Sequence, residues 1–193
     1  MARKNFEFKP DRVRTDVLGK LLLTKKQRLT LLRWALFGAV CLVGLLVQDV
    51  ILSRVSIFDT TTELVPAFIL AVCVLQGAES GCLFALTASC VYYFSGSAPG
   101  PYCIPLITTL AVLAAVFRQG YLRKGFSALM LCVVVSMVLY ELAVFGIGVF
   151  LGRTILRRLG AFCLTAVLSS AAVPLIYPIL LSIGKIGGET WKE

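Results

Sequence analysis

Charge almost disappears from this chain after residue 33. Between Arg33 and Lys185 only twelve residues are charged, and most of them sit in short gaps between apolar runs or near the ends of those runs. The exception is Glu141, alone in the apolar stretch from Gly125 to Gly152. Several runs reach or approach the roughly 20 apolar residues that cross a hydrocarbon core of about 30 Å as a helix. A soluble domain carries about a quarter charged residues. This chain of 193 residues carries 15%, with 59% hydrophobic residues and a mean hydropathy of +0.91. The pattern predicts an all-α integral membrane protein whose function rests on packing and a few buried polar groups.

The charge that does exist is asymmetric. Residues 1–30 hold nine Lys/Arg against Glu7, Asp11 and Asp16. The basic stretch has only Phe6 and Phe8 as aromatics and runs straight into an apolar segment. Retention on the cytoplasmic side and attraction to anionic inner-leaflet lipid explain it, and nucleic-acid binding is not expected. Residues 1–31 are therefore read as a basic cytoplasmic tail. Within it Val17, Leu18, Leu21 and Leu22 share one helical face, which suggests either an interfacial helix or a cytoplasmic extension of the first span. No small-residue cleavage site follows the first apolar stretch, which is expected to be a retained span.

The apolar runs divide residues 32–184 into six predicted spans. The first is Leu32–Leu52, with Trp34 at its entry and Gln48 and Asp49 near its exit. Residues 64–94 would make a helix of roughly 46 Å if continuous. The alternative is two short helices, Leu64–Leu75 and Ala78–Phe94, turning at Gly77. Ser95–Pro101 (SGSAPGP) is the strongest loop signal. The remaining spans are Tyr102–Phe117, started by a bend at Pro105, then Phe126–Phe150, then Ala161–Ile183, which Pro174 and Pro178 should kink. Residues 185–193 form a short C-terminal tail.

Lys/Arg counting sets the orientation. Six spans with both termini cytoplasmic put fifteen Lys/Arg inside and four outside; fusing residues 64–94 into one span gives thirteen and six. In the six-span arrangement Arg153, Arg157 and Arg158 fall outside. Leu151–Leu159 is accordingly read as an amphipathic outer segment, suited to face a partner.

Chemistry is hard to build from what remains. The chain has no histidine, so no nucleophile–histidine pair exists. It has no P-loop and no metal-ligand spacing, and its seven cysteines, an odd number without a CxxC, read as small buried hydrophobes. No enzyme activity, cofactor or metal is expected. A carboxylate at mid-bilayer costs roughly 2.5–3.5 kcal/mol on insertion scales. Glu141 is therefore expected to couple protons, to clamp a partner helix, or to make a buried interhelical hydrogen bond, for example with Gln48, Ser136 or Tyr140. No second intramembrane carboxylate pairs clearly with it. Ala35–Ala39 and Gly148–Gly152 are small-xxx-small spacings that favour close helix contact.

Residues 40–183 resemble the rod-shape-determining MreD family. The resemblance rests on Gln48, Leu52-Ser53-Arg54, Ile57-Phe58 and Glu63; on Gln76-Gly77 with Glu79-Ser80-Gly81; on Phe94-Ser95-Gly96 with Pro99-Gly100 and Tyr102; on Leu139-Tyr140-Glu141-Leu142; and on Pro174-Leu175-Ile176-Tyr177-Pro178. Where the family often has an aspartate before Ser-Gly this chain has Tyr92, and where an asparagine often precedes the proline motif it has Ser169. The resemblance implies a non-enzymatic, multi-pass subunit of the bacterial cytoplasmic membrane. Such a subunit works with bitopic MreC, the MreB filament, and a RodA-type glycosyltransferase with its penicillin-binding transpeptidase. It also implies a six-helix bundle similar to the substrate-binding subunits of energy-coupling-factor vitamin transporters. Such a vitamin-capturing subunit is the alternative reading, although few polar groups are expected to converge near the outer loops. On the scaffold reading the expected partner contacts are Glu141, Tyr140, Gly148, Gly152, Arg153, Arg157 and Arg158.

Overall fold

The computed structural model describes residues 25–54, 60, 62–122 and 125–186. These form α1 (Lys25–Val50), α2 (Leu64–Gln76), α3 (Ala78–Phe94), α4 (Cys103–Tyr121), α5 (Phe126–Phe150), α6 (Leu159–Ala171) and α7 (Val173–Gly184), with 3-10 turns at Leu52–Arg54 and Leu156–Arg158. No strand occurs among the described residues. Among the described residues three helices are long and apolar enough to cross a membrane: α1 from Gln27, α4 and α5. The segments Leu156–Ala171 and Val173–Gly184 meet at 41° and make a fourth if counted as one broken span. The outer faces of these helices are apolar, as lipid requires and water does not tolerate at this extent. Leu42 and Leu46 on α1, Leu113 and Phe117 on α4, and Leu131, Val135 and Leu139 on α5 are all exposed.

The shortest of the early helices occupies the centre. Every residue of α2 from Val65 to Leu75 is buried, and α1, α3, α4, α5, α6 and α7 all pack against it. A helix apolar on every side belongs inside a core. Its 13 residues extend only about 20 Å, so surrounding protein, rather than lipid, meets its ends.

Gly77, at φ 92°, reverses the chain between α2 and α3. In one continuous helix Cys73 and Gly81 would lie about 12 Å apart. Here a Cβ on Gly81 would meet the Cys73 Cα at 2.8 Å. Further along, the Phe68 and Phe84 rings are 6.3 Å apart, and Tyr92 reaches Glu63. The two helices therefore run antiparallel along their whole length, which excludes a single helix over residues 64–94. The bundle has two ends, one carrying Gly77, Arg118 and Gly184 and the other carrying Ser97, and α2 and α4 run from the Ser97 end toward the Gly77 end.

Other expectations shift by about two turns or less. Helix α1 starts at Lys25 rather than Leu32, so residues 25–31 extend the first span as helix. The rest of the suggested interfacial helix, together with Asp59, Arg123, Lys124 and residues 187–193, lies outside the described residues. Pro105 falls in the first turn of α4, where a missing N–H costs nothing. The predicted kink in the last span is a break at Ala172, with Pro174 in the first turn of α7 and Pro178 inside it.

The close α2–α3 contact makes a clear prediction. Gly81→Ala must push Cys73 backbone aside and should cost about 1–3 kcal/mol. Gly146→Ala enters open space in mid-α5 and should be neutral or gain up to about 1 kcal/mol. Thermal unfolding of both variants in detergent separates the two effects.

Candidate functional site

The first N–H groups and last carbonyls of a helix have no partners within it. Side chains from three other helices supply partners for α2. At its start the Val65 N–H donates to Gln48 Oε1 at 2.9 Å, and the Glu63 N–H donates to Ser169 Oγ at 2.9 Å. At its end Arg118 Nη1 donates to the Val74 carbonyl. Arg118 is itself buried. A carboxylate just before the helix and a guanidinium at its last turn also match the sign of the helix dipole.

Glu63 is the node at the Ser97 end. The Tyr92 hydroxyl lies 3.3 Å from Glu63 Oε2 and 3.4 Å from the Ser97 carbonyl, and can donate to either. Ser97 Oγ in turn donates to Asp49 Oδ1 at 2.5 Å. This chain of contacts ties the SGSAPGP loop, α1 and the start of α2 together. Glu63 precedes the first residue of α2 and is not within a long apolar helix. Burial pushes its carboxyl above the usual carboxylate range, and the hydrogen bond from Tyr92 opposes that rise.

Above Glu63, beyond the start of α2 and where α5 and α6 continue, lies a cavity of about 340 Å³. Its lining includes Glu63, Tyr102, Glu141, Arg153, Phe162 and Thr165. The Phe145 and Phe162 rings, 5.3 Å apart and edge to face, join α5 to α6 beside it. Glu141 is 2% exposed, and its Oε1 atom has no hydrogen-bond partner among the described residues. Gln48, one of its expected partners, instead bonds the backbone of α2. Glu63, from the gap before α2, faces the same cavity as Glu141. The cavity also revises the expectation that few polar groups converge near the outer loops.

The predicted contact residues divide into two groups. Glu141 and Tyr140 are buried, Tyr140 at 1% exposure, so neither presents a side chain to a neighbour on the bundle surface. Gly148 and Gly152 are not an open packing face either. A Cβ on Gly148 would strike Thr154 of the same chain, and Gly152, at φ 67°, forms the turn that ends α5. Arg153, Arg157 and Arg158 are exposed as expected, beside exposed Ile155, Leu156 and Leu159. Thr60 and Thr165 were not anticipated in the cavity wall. Neither carries a distinguishing sequence pattern, because only the packing of α6 over the start of α2 brings them there. The chain matches no family model, no curated protein and no solved structure.

The side chains that close α2 have testable worth. Gln48→Leu should strand the Val65 N–H, and Arg118→Leu should strand the Val74 carbonyl; each should cost about 1–3 kcal/mol. Arg118→Lys should recover part of that loss. Midpoints of thermal unfolding in one detergent give the comparison.

Proposed function

We propose that this chain is a non-enzymatic scaffold subunit of the bacterial elongation machinery, of the MreD type, in the cytoplasmic membrane. One observation carries the reading. Gln48, Glu63, Tyr92, the Ser95–Tyr102 loop, Glu141 and Ser169 are far apart in sequence, yet they gather at the Ser97 end of the bundle. Gln48, Glu63, the Ser95–Tyr102 loop and Glu141 are also positions on which the family resemblance rests. Tyr92 and Ser169, the two positions that depart from the family pattern, both bond Glu63.

Six crossing segments with both termini cytoplasmic remain part of the proposal. The α2–α3 hairpin supports it, because two antiparallel segments over residues 64–94 give the more asymmetric Lys/Arg distribution. In that orientation the Ser97 end faces outward, and the exposed Arg153, Arg157 and Arg158 with Ile155 and Leu156 form an amphipathic surface for the bitopic MreC-type partner. MreB, the RodA-type glycosyltransferase and its penicillin-binding transpeptidase would be reached through that complex. The basic N-terminal tail would rest on anionic inner-leaflet lipid.

The experiment is recovery of an MreC-type protein with the tagged full chain in mild detergent. Arg157→Glu with Arg158→Glu should lower recovery about tenfold, a loss of about 1.4 kcal/mol. Glu141→Gln, buried away from that surface, should change it little. Undiminished recovery by the double reversal would remove the arginine segment from the interface. The cavity favours a second reading, a substrate-capturing subunit of an energy-coupling-factor transporter. Co-purification of ATPase subunits in place of an MreC-type protein would select it. For orientation, Arg157→Cys in a cysteine-free background should react with a membrane-impermeant maleimide from outside intact cells. Protection there, with labelling only after permeabilisation, would reverse the topology.

A further inference from the structure

The cavity at the Ser97 end has unbalanced chemistry. Two carboxyl groups, Glu63 and Glu141, face it. Of these, Glu141 is buried with Oε1 unbonded among the described residues. Arg153 lines the same space, with its side chain exposed. Val144 and Phe162 add apolar surface to the same lining. The volume of about 340 Å³ falls in the range of small-molecule sites, which are mostly apolar with a few placed polar groups.

A buried carboxyl oxygen without a partner costs free energy that an N–H donor would recover. Its neighbour Glu63 adds a second acceptor, so a cationic nitrogen satisfies this side better than a neutral donor. Arg153, by contrast, is suited to a carboxylate. We propose that this cavity binds a small zwitterion of the amino-acid type. Its ammonium lies against Glu141 and Glu63, its carboxylate against Arg153, and its apolar body along Val144 and Phe162. The inference goes beyond the scaffold reading and does not depend on it; ligand binding and partner recovery are separate measurements.

The test uses the full chain in mild detergent, with thermal shift and calorimetry as readouts. The probes are L-leucine and the other common L-amino acids, each at millimolar concentration. For L-leucine the single-charge controls are isoamylamine, which lacks the carboxylate, and 4-methylpentanoate, which lacks the amine; the same two deletions apply to any better binder. A saturable upward shift by at least one amino acid is expected, with both single-charge controls about tenfold weaker or worse. Glu141→Gln and Arg153→Ala should each weaken binding about tenfold while keeping the ligand-free unfolding midpoint within a few degrees. Val144→Phe, which narrows the cavity without touching a charge, should also abolish the shift and serves if a charge variant fails to fold. Absence of saturable binding by every amino acid overturns the proposal, as does equal binding of the amine alone or binding untouched by Val144→Phe.

Discussion

The bundle depends on a helix too short to reach either surface. Helix α2 is surrounded by the other helices over Val65–Leu75, and side chains of those helices take up backbone groups at both of its ends. In a lipid setting an unsatisfied backbone group costs several kcal/mol. Gln48, Ser169 and Arg118 meet that requirement from α1, α6 and α4. Each of these polar side chains is thereby fixed to one register, and so is the helix that carries it. Apolar side chains alone would not define that register, since lipid and protein interiors are similarly apolar and close packing is the main force between helices.

The same shortness creates the cavity. Helices α5 and α6 continue past the point where α2 begins, and the space above Glu63 is left to be walled by Glu141, Phe162 and Thr165. The SGSAPGP loop approaches from the side, anchored through Ser97 to Asp49 and through Tyr92 to Glu63. A longer α2 would fill this volume with aliphatic side chains and bring the Glu63 position to the surface. The break at Gly77 works at the opposite end. It lets α3 fold back on α2, so that the chain can return to the Ser97 end and supply Tyr92.

Much of this was legible in the sequence, because helix limits follow from apolar run length and from breakers. The limits of α5 coincide with Phe126–Phe150, α3 with Ala78–Phe94, and the interruption near Pro174 falls at Ala172. The centrality of α2 was not legible, since an apolar run looks the same whether lipid or protein surrounds it. Gln48 lies near the exit of the first predicted span and Arg118 just past the end of the predicted Tyr102–Phe117 span; their shared duty at the two ends of α2 exists only once the helices are packed. Gly148 shows a related limit. The small-xxx-small spacing signals close approach, but here the approaching group is Thr154 of the same turn.

The buried polar groups thus fall into two classes with different physical justifications. Gln48, Ser169 and Arg118 each bond a backbone group of the central helix or the residue before it, and the fold explains their presence. Glu141 does not fit that class. Its carboxyl carries a burial cost of roughly 2.5–3.5 kcal/mol on insertion scales, and its Oε1 closes no backbone hydrogen bond. A leucine or methionine would fill the position with less penalty if packing were its whole purpose. Its placement in the wall of a cavity shared with Glu63 and Arg153 therefore points toward something that enters the cavity, rather than toward the bundle that encloses it.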